Sequence, residues 1–176
     1  MGVAGTGKST VAKGISTLMG WPYAEGDAVH PQANVAKMHS GIPLTDEDRW
    51  PWLRLLGDWI DSTIAAGDSA VVTCSALRRA YRKVLREGRP SVRFLHLHDS
   101  QDLIAERMAA RTDHFMPPGL LPSQFATLEP LEPDEPGVVV SVAGDIPEVI
   151  DRSMAALRLV PRESEGAHER PQRLSP

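Results

Sequence analysis

The sequence predicts an α/β chain: a mainly parallel sheet in three layers, with helices on both faces. Three observations carry that prediction. A glycine-rich turn, Gly2 to Ser9, runs straight into a helix-patterned stretch. Short apolar runs around Val71, Phe94 and Val138 read as buried strands. Helical patterns alternate with those runs, which is the order that parallel sheets require.

The opening turn reads MGVAGTGKST, and Gly2, Gly7, Lys8 and Ser9 fit the phosphate-loop pattern G-x-x-x-x-G-K-[ST] without mismatch. The chemistry explains the residue types. Gly2, Gly5 and Gly7 free the backbone, so that the N–H groups of the loop, Thr6 included, converge on phosphate oxygens at a positive helix end. Lys8 can reach the β- and γ-phosphates, and Ser9 offers a hydroxyl to Mg²⁺. Val11, Ile15, Leu18 and Met19 then fall on one helical face, giving a helix over Lys8–Met19. Gly2 and Thr6 also match an N-myristoylation pattern, but the phosphate loop already accounts for every glycine there.

Trp21 to Glu25 reads as a short strand ended by Gly26-Asp27. A helix begins at His30-Pro31, carries Val35 and Met38, and stops at Gly41. Thr45, with Asp48 three residues on, approximates a capping box for a long helix whose stripe is Trp52, Leu56, Trp59, Ile60 and Ile64. Pro51 sits in its first turns, where proline is tolerated. Ser69 to Ser75 is a strand, Leu77 to Glu87 a basic helix stopped by Gly88, and Val92 to Leu97 another strand. A helix starts at Ser100 and Asp102 and carries Leu103, Ile104 and Met108. His114 to Pro136 is proline-rich and weakly periodic, hence a functional loop or a disordered one. Val138–Val140 opens the last strand, and Ile146, Val149, Ile150, Met154 and Leu157 give a closing helix. Residues 1–160 thus form one domain, with a lid at about 114–136, and residues 161–176 a disordered tail.

Composition narrows the function. A net charge of −4 over 176 residues leaves no electrostatic footprint for nucleic acid. No apolar run approaches the roughly 20 residues of a membrane helix. The single cysteine, Cys74, fits a reducing cytoplasm. No His/Cys/Asp cluster has metal-ligand spacing, so any metal is expected to arrive with a nucleotide.

Ligands of such folds bind beyond the carboxyl ends of the strands, which selects Glu25-Gly26-Asp27, Cys74-Ser75-Ala76 and His98-Asp99 beside the loop. Asp27 is the candidate to orient an acceptor hydroxyl and take its proton. Glu25, on the same strand face, could hold a water of the Mg²⁺ shell. Arg49, Arg78, Arg79 and Arg82 are candidates to pair a substrate carboxylate. Arg107 and Arg111 stand where they could stabilise a transferring phosphoryl group as a lid closes. His30 and His114 could donate hydrogen bonds to substrate or phosphate.

The segments GVAGTGKST, EGDAVHPQANVAKMHSGIPLTDEDRWPWL, CSALRRAYRKVLREG and HFMPPGLLPSQFATLEPLEPDE, with the Val138 strand, resemble the bacterial thermoresistant-type gluconokinases over roughly Gly2 to Leu157. The resemblance implies ATP-dependent phosphorylation of D-gluconate at its 6-hydroxyl, a nucleoside-monophosphate-kinase-like fold with five parallel strands, and a homodimer. It places Gly5, Gly7, Lys8, Ser9 and Thr10 on ATP and Mg²⁺. It places Asp27 and His30 against gluconate with Lys37 and Arg49 nearby, and Ser75 and Arg79 beside the substrate pocket. Arg107, Arg111 and a lid from His114 to Gln124 would close over ATP. Two residues depart from the pattern: Arg78 stands where lysine is expected, and Asp113 where glycine precedes His114. Shikimate kinase, a nucleoside monophosphate kinase and a truncated, non-catalytic nucleotide-binding protein are the competing readings. The long H-P…D-E-D-R-W-P-W segment argues against the first.

A phosphate loop is the turn from a strand into a helix, yet only Met1 precedes Gly2. The fold is therefore expected to lack its first strand, which by resemblance would lie between the strands near Val71 and Phe94. The expectation is that about eight to twelve residues, a strand and its lead-in, belong before Met1. Without some five buried apolar side chains at roughly 1.5–3 kcal/mol each, the chain is expected to fold poorly.

Overall fold

The computed structural model describes residues 1–109 and 121–161. Its elements in order are α1 (Lys8–Met19), β1 (Tyr23–Glu25), a 3₁₀ turn (Gly26–Val29), α2 (Gln32–His39), α3 (Asp46–Ala65), β2 (Val71–Thr73), α4 (Arg79–Arg86), β3 (Phe94–His98), α5 (Gln101–Ala109), α6 (Leu121–Thr127), β4 (Gly137–Ser141) and α7 (Ile146–Leu157). The chain is α/β with parallel strand pairs, as its sequence predicts.

The capping signals act where the sequence puts them. Thr45 accepts from the Asp48 N–H while the Asp48 carboxylate accepts from the Thr45 N–H, a complete capping box for α3. Asp145 and Glu148 repeat the device on α7, an arrangement the sequence reading passed over. Strands come out shorter than the apolar runs that announce them, because only the residues that reach a partner ladder count as strand.

β1 pairs with β2 in the register Tyr23–Val71 to Glu25–Thr73, and β3 pairs with β4 from Phe94–Gly137 to His98–Ser141. Among the described residues these are two separate two-stranded sheets rather than one sheet of five strands. The reason lies between β2 and β3. There Leu97 N–H donates to Met1 O at 3.0 Å, and Gly2 N–H donates to Ser75 O at 3.2 Å. The Met1 ammonium donates to Leu95 O. Beyond these bridging bonds the facing edges enclose an apolar groove of about 340 Å³, lined by Val72, Cys74, Phe94 and Leu95 among others.

Helices pack on the strands in two groups. Val11, Ile15 and Met19 of α1 share a cluster with Leu97, Val140, Val149 and Met154. Trp52, Leu53, Leu56 and Ile60 of α3 share another with Cys74, Tyr81, Leu85 and Phe94. A smaller cluster of Val3, Leu77, Ile104, Met108 and Leu121 sits under the glycine-rich loop.

The segment 114–136 needs correction in its second half; residues 114–120 lie outside the described residues. Leu121–Thr127 is a helix, since Leu121 finds an apolar socket at Ile104 and Met108. The chain after it is stapled to α4. Glu129 N–H donates to Leu77 O at 2.8 Å. The fully buried Arg82 guanidinium donates to Glu129 O at 3.0 Å, to Pro130 O at 3.1 Å and bidentately to Glu135 at 2.6 and 2.7 Å. Arg82, a candidate carboxylate binder in the sequence, is thus a structural cation. Its pairing holds the Glu135 carboxyl below the usual range.

Removing one partner of a buried ion pair strands the other. Arg82→Met is therefore expected to lower unfolding free energy by about 3–5 kcal/mol in chemical denaturation. A loss under about 1 kcal/mol would mean that water already screens the pair.

Candidate active site

The glycine-rich loop wraps the start of α1. Gly7 caps that helix at φ 82, in the left-handed region, and so turns the loop's N–H groups toward the cleft. Thr6 is buried and donates to Val3 O at 3.0 Å, which braces the loop from inside. Lys8 Nζ donates to the same carbonyl at 3.0 Å.

The carboxyl end of β1 closes in from the side. Gly26 lies so near the Thr73 carbonyl that a β-carbon would overlap it. Gly26 N–H donates to Thr73 Oγ1 at 3.1 Å, and the Trp52 indole N–H donates to Gly26 O at 2.7 Å. That packing sets the directions of Glu25 and Asp27 on either side.

Glu25 accepts hydrogen bonds from Tyr23, Thr73 and Ser9. Burial alone would push its carboxyl up, but the three donors outweigh it and hold it below the usual range. The same pairing raises the Tyr23 phenol to about 12, burial being the larger cause. Glu25 therefore ties the Ser9 hydroxyl to β1.

Asp27 keeps 39% of its side-chain surface open to the cleft. Loss of water raises its carboxyl above the usual range, with Lys8 opposing and the Glu25 charge adding to the rise. His30 Nε2 stands 3.9 Å from Asp27 Oδ1. The His30 ring stacks on Trp52 with centroids 4.0 Å apart and planes 19° apart. Burial, and then the Arg49 charge, lower it to about 4, so the ring is neutral near pH 7.

Arg49 closes the far wall. Its guanidinium donates to Leu44 O at 2.5 Å and to the Tyr81 hydroxyl at 3.3 Å. Asp46 gathers the supports: it accepts from Tyr81 at 2.5 Å and from Arg78 at 2.8 and 3.0 Å.

One cleft of about 250 Å³ brings together Gly5, Gly7, Lys8, Ser9, Thr10, Asp27, His30, Arg49 and Ser75 of the residues singled out in the sequence. Gly2 lies behind the loop against Leu97. Thr6, Glu25, Arg78 and Arg82 stand behind its walls, and Lys37, Arg79 and Arg107 do not line it either. Lys37 pairs with Asp48 at 2.7 Å and so braces the start of α3. Arg79 pairs with Asp134 on the surface. Arg107 donates to Gly144 O at 2.8 Å, at the turn before α7. Arg111 and His114 lie outside the described residues.

Sequence reasoning missed the parts played by two wall residues, Trp52 and Gln124, and by Asn34 behind His30. Trp52 was read only as part of an apolar stripe, but it is both the floor under His30 and the anchor of Gly26. Gln124 accepts from Ala4 N–H at 2.6 Å, tying α6 to the loop, where the resemblance names it only as the end of a lid. Asn34 is buried against His30; the one available signal was its spacing four residues after the histidine.

Trp52→Phe should keep the stack but leave Gly26 O without its donor, lowering stability by about 1–3 kcal/mol in denaturant titration. An unchanged midpoint would show that the indole bond contributes nothing.

No protein-family model matches the chain. Comparison with curated proteins finds a gluconokinase of Gluconobacter oxydans, 53% identical over 145 residues, which are 82% of this chain and 80% of that protein. Among solved structures, an unliganded sugar kinase of Janibacter is similar at TM-score 0.86 and 53% identity, covering 92% of this chain and 93% of its own. A gluconokinase of Sinorhizobium meliloti is similar at TM-score 0.81 and 46% identity, covering 90% and 89%.

Proposed function

The chain belongs to the gluconokinase family, and from that premise we propose that it transfers the γ-phosphoryl group of ATP to the 6-hydroxyl of D-gluconate, giving 6-phospho-D-gluconate and ADP. The observation that carries this reading is a single cleft in which a phosphate-loop motif faces Asp27, His30 and Arg49.

The roles follow from placement. Loop N–H groups from Gly5 to Thr10 hold the triphosphate, and Lys8 neutralises charge growing between the β- and γ-phosphates. Arg49, fixed by Leu44 and Tyr81, pairs with the gluconate carboxylate, and Ser75 lines the same wall. Asp27 accepts the proton of the 6-hydroxyl as that oxygen bonds to the γ-phosphorus and the bond to the β-phosphate oxygen breaks. Its raised affinity for protons suits a base that must take one near neutrality. Lys37 and Arg79 act from behind the cleft. Arg111 and His114 would close over ATP from the stretch that follows α5, with Arg107 in the last turn of that helix.

Mg²⁺ arrives with the nucleotide in this reading. The residues present fit it: the Ser9 hydroxyl would be a ligand, and Glu25, already hydrogen-bonded to Ser9, would hold a water of its shell. When bound, the ion supplies charge neutralisation on the transferring phosphate.

The proposal extends to a nucleoside-monophosphate-kinase-like phosphate-loop fold over residues 1–160, with 161–176 as a tail. The loop-to-α1 turn and the two helix groups around parallel strands support it. The apolar groove between β2 and β3, bridged by Met1 and Gly2, supports a sheet with room there for one more apolar strand. A homodimer rests on the sequence resemblance, and a cytoplasmic location on the single cysteine. Among the described residues, no helix is long and apolar enough to cross a membrane.

A coupled ATPase screen over gluconate, related aldonates, shikimate and nucleoside monophosphates tests the acceptor. Gluconate should give the highest kcat/KM; a faster turnover of shikimate or a nucleotide would sink the assignment.

Asp27→Asn keeps the shape of the side chain but cannot take the proton. It should lower kcat about 10²–10⁴-fold with ATP binding retained. In the parent protein, kcat/KM should fall on acidification through a pKa above the ordinary aspartate value, because the folded carboxyl takes up its proton at higher pH. A loss under about tenfold in the variant would reduce Asp27 to a turn residue.

A further inference from the structure

His30 is a ring with two nitrogens and one proton, and what it offers a substrate depends on which nitrogen carries it. The surroundings decide the matter. Asn34 is buried, with 3% of its surface exposed. Its amide nitrogen donates to the Asp48 carbonyl at 2.8 Å and lies 3.4 Å from His30 Nδ1. The amide cannot be turned over, since its oxygen would then face the Asp48 carbonyl oxygen. The Asp48 carbonyl is itself fixed by the α3 capping box, which Lys37 braces through the Asp48 carboxylate. A donor therefore points at Nδ1 from a rigid platform. A proton on Nδ1 would set two N–H groups against each other.

We propose that Asn34 is a positioning residue that fixes His30 as the Nε2–H tautomer, so that the ring presents a hydrogen-bond donor into the cleft beside Asp27. The inference deepens the kinase reading above and rests on it for the identity of the substrate. The Trp52 stack holds the ring plane, and Asn34 holds its rotation and its proton. Nε2 faces Asp27 Oδ1 at 3.9 Å, a gap that leaves the N–H available to a sugar hydroxyl lying between them. His30 is then a donor to the acceptor sugar and not a second base. Burial and the neighbouring Arg49 charge, which keep the ring neutral, agree with a single proton.

The test reads the tautomer directly. The full-length chain, labelled with ¹⁵N at histidine, is measured by long-range ¹H–¹⁵N correlation near neutral pH, with His30 assigned by its loss in His30→Gln. Nδ1 should be the unprotonated nitrogen and Nε2 the protonated one. In Asn34→Asp, whose carboxylate accepts where the amide donated, the proton should move to Nδ1. The KM for gluconate should rise roughly two- to tenfold, the effect of one neutral hydrogen bond, with the KM for ATP unchanged. A proton on Nδ1 in the parent, or an imidazolium, overturns the proposal. So does an Asn34→Asp protein whose His30 tautomer stays as it was, or one in which both KM values rise alike. Should Asn34→Asp fail to fold, the parent spectrum alone decides. A parent with the expected tautomer that phosphorylates another acceptor leaves Asn34 in its role and removes only gluconate.

Discussion

The close approach of the β1 end to β2 at Gly26 is the constraint on which the cleft depends. A residue with any side chain there would drive the two strands apart. With glycine, the Thr73 hydroxyl accepts from the Gly26 N–H and donates to Glu25, and the Trp52 indole reaches the Gly26 carbonyl. Three elements meet at one residue without a side chain. Glu25 is thereby aimed back at Ser9 of the loop, and Asp27 outward at the space over Lys8. One short contact thus orients two carboxylates of opposite character, one made more acidic by its donors and one made less acidic by burial.

The far wall is built on a different plan. Arg49 is held by a backbone carbonyl and a phenol, and Asp46 ties Tyr81 and Arg78 together behind it. A guanidinium fixed in this way loses little freedom when a carboxylate binds. Arg78 donates from Nη1 alone to both Asp46 oxygens and so acts through Asp46 and Tyr81.

Local signals were legible in the sequence. The Lys8–Met19 helix, the Thr45–Asp48 capping box and the strand-end positions of Asp27 and Ser75 all follow from spacing and residue type. What was not legible required knowing which distant side chain answers which charge. Arg79 and Arg82 are three apart on one basic helix, yet one meets Asp134 on the surface and the other is swallowed by the Glu129–Glu135 turn. Trp52 looked like any apolar stripe residue, because an indole N–H announces no partner until the fold supplies one. Leu121–Thr127 is too short to show a period, and its socket comes from α5 and the loop.

The Arg82 staple has a consequence for how this molecule can change over generations. The guanidinium spends its donors on two stretches of backbone, Ala76-Leu77 and Glu129-Pro130, as well as on Glu135, so neither partner can be exchanged alone without stranding buried polar groups. Substitutions at positions 82 and 135 are therefore coupled, and drift at either one is barred until the other moves with it. The surface pair Arg79–Asp134, three residues away on the helix and one in the turn, carries no such obligation. Two arginines one turn apart on one helix thus evolve under different rules, one bound to a buried partner and the other to a solvent-exposed one.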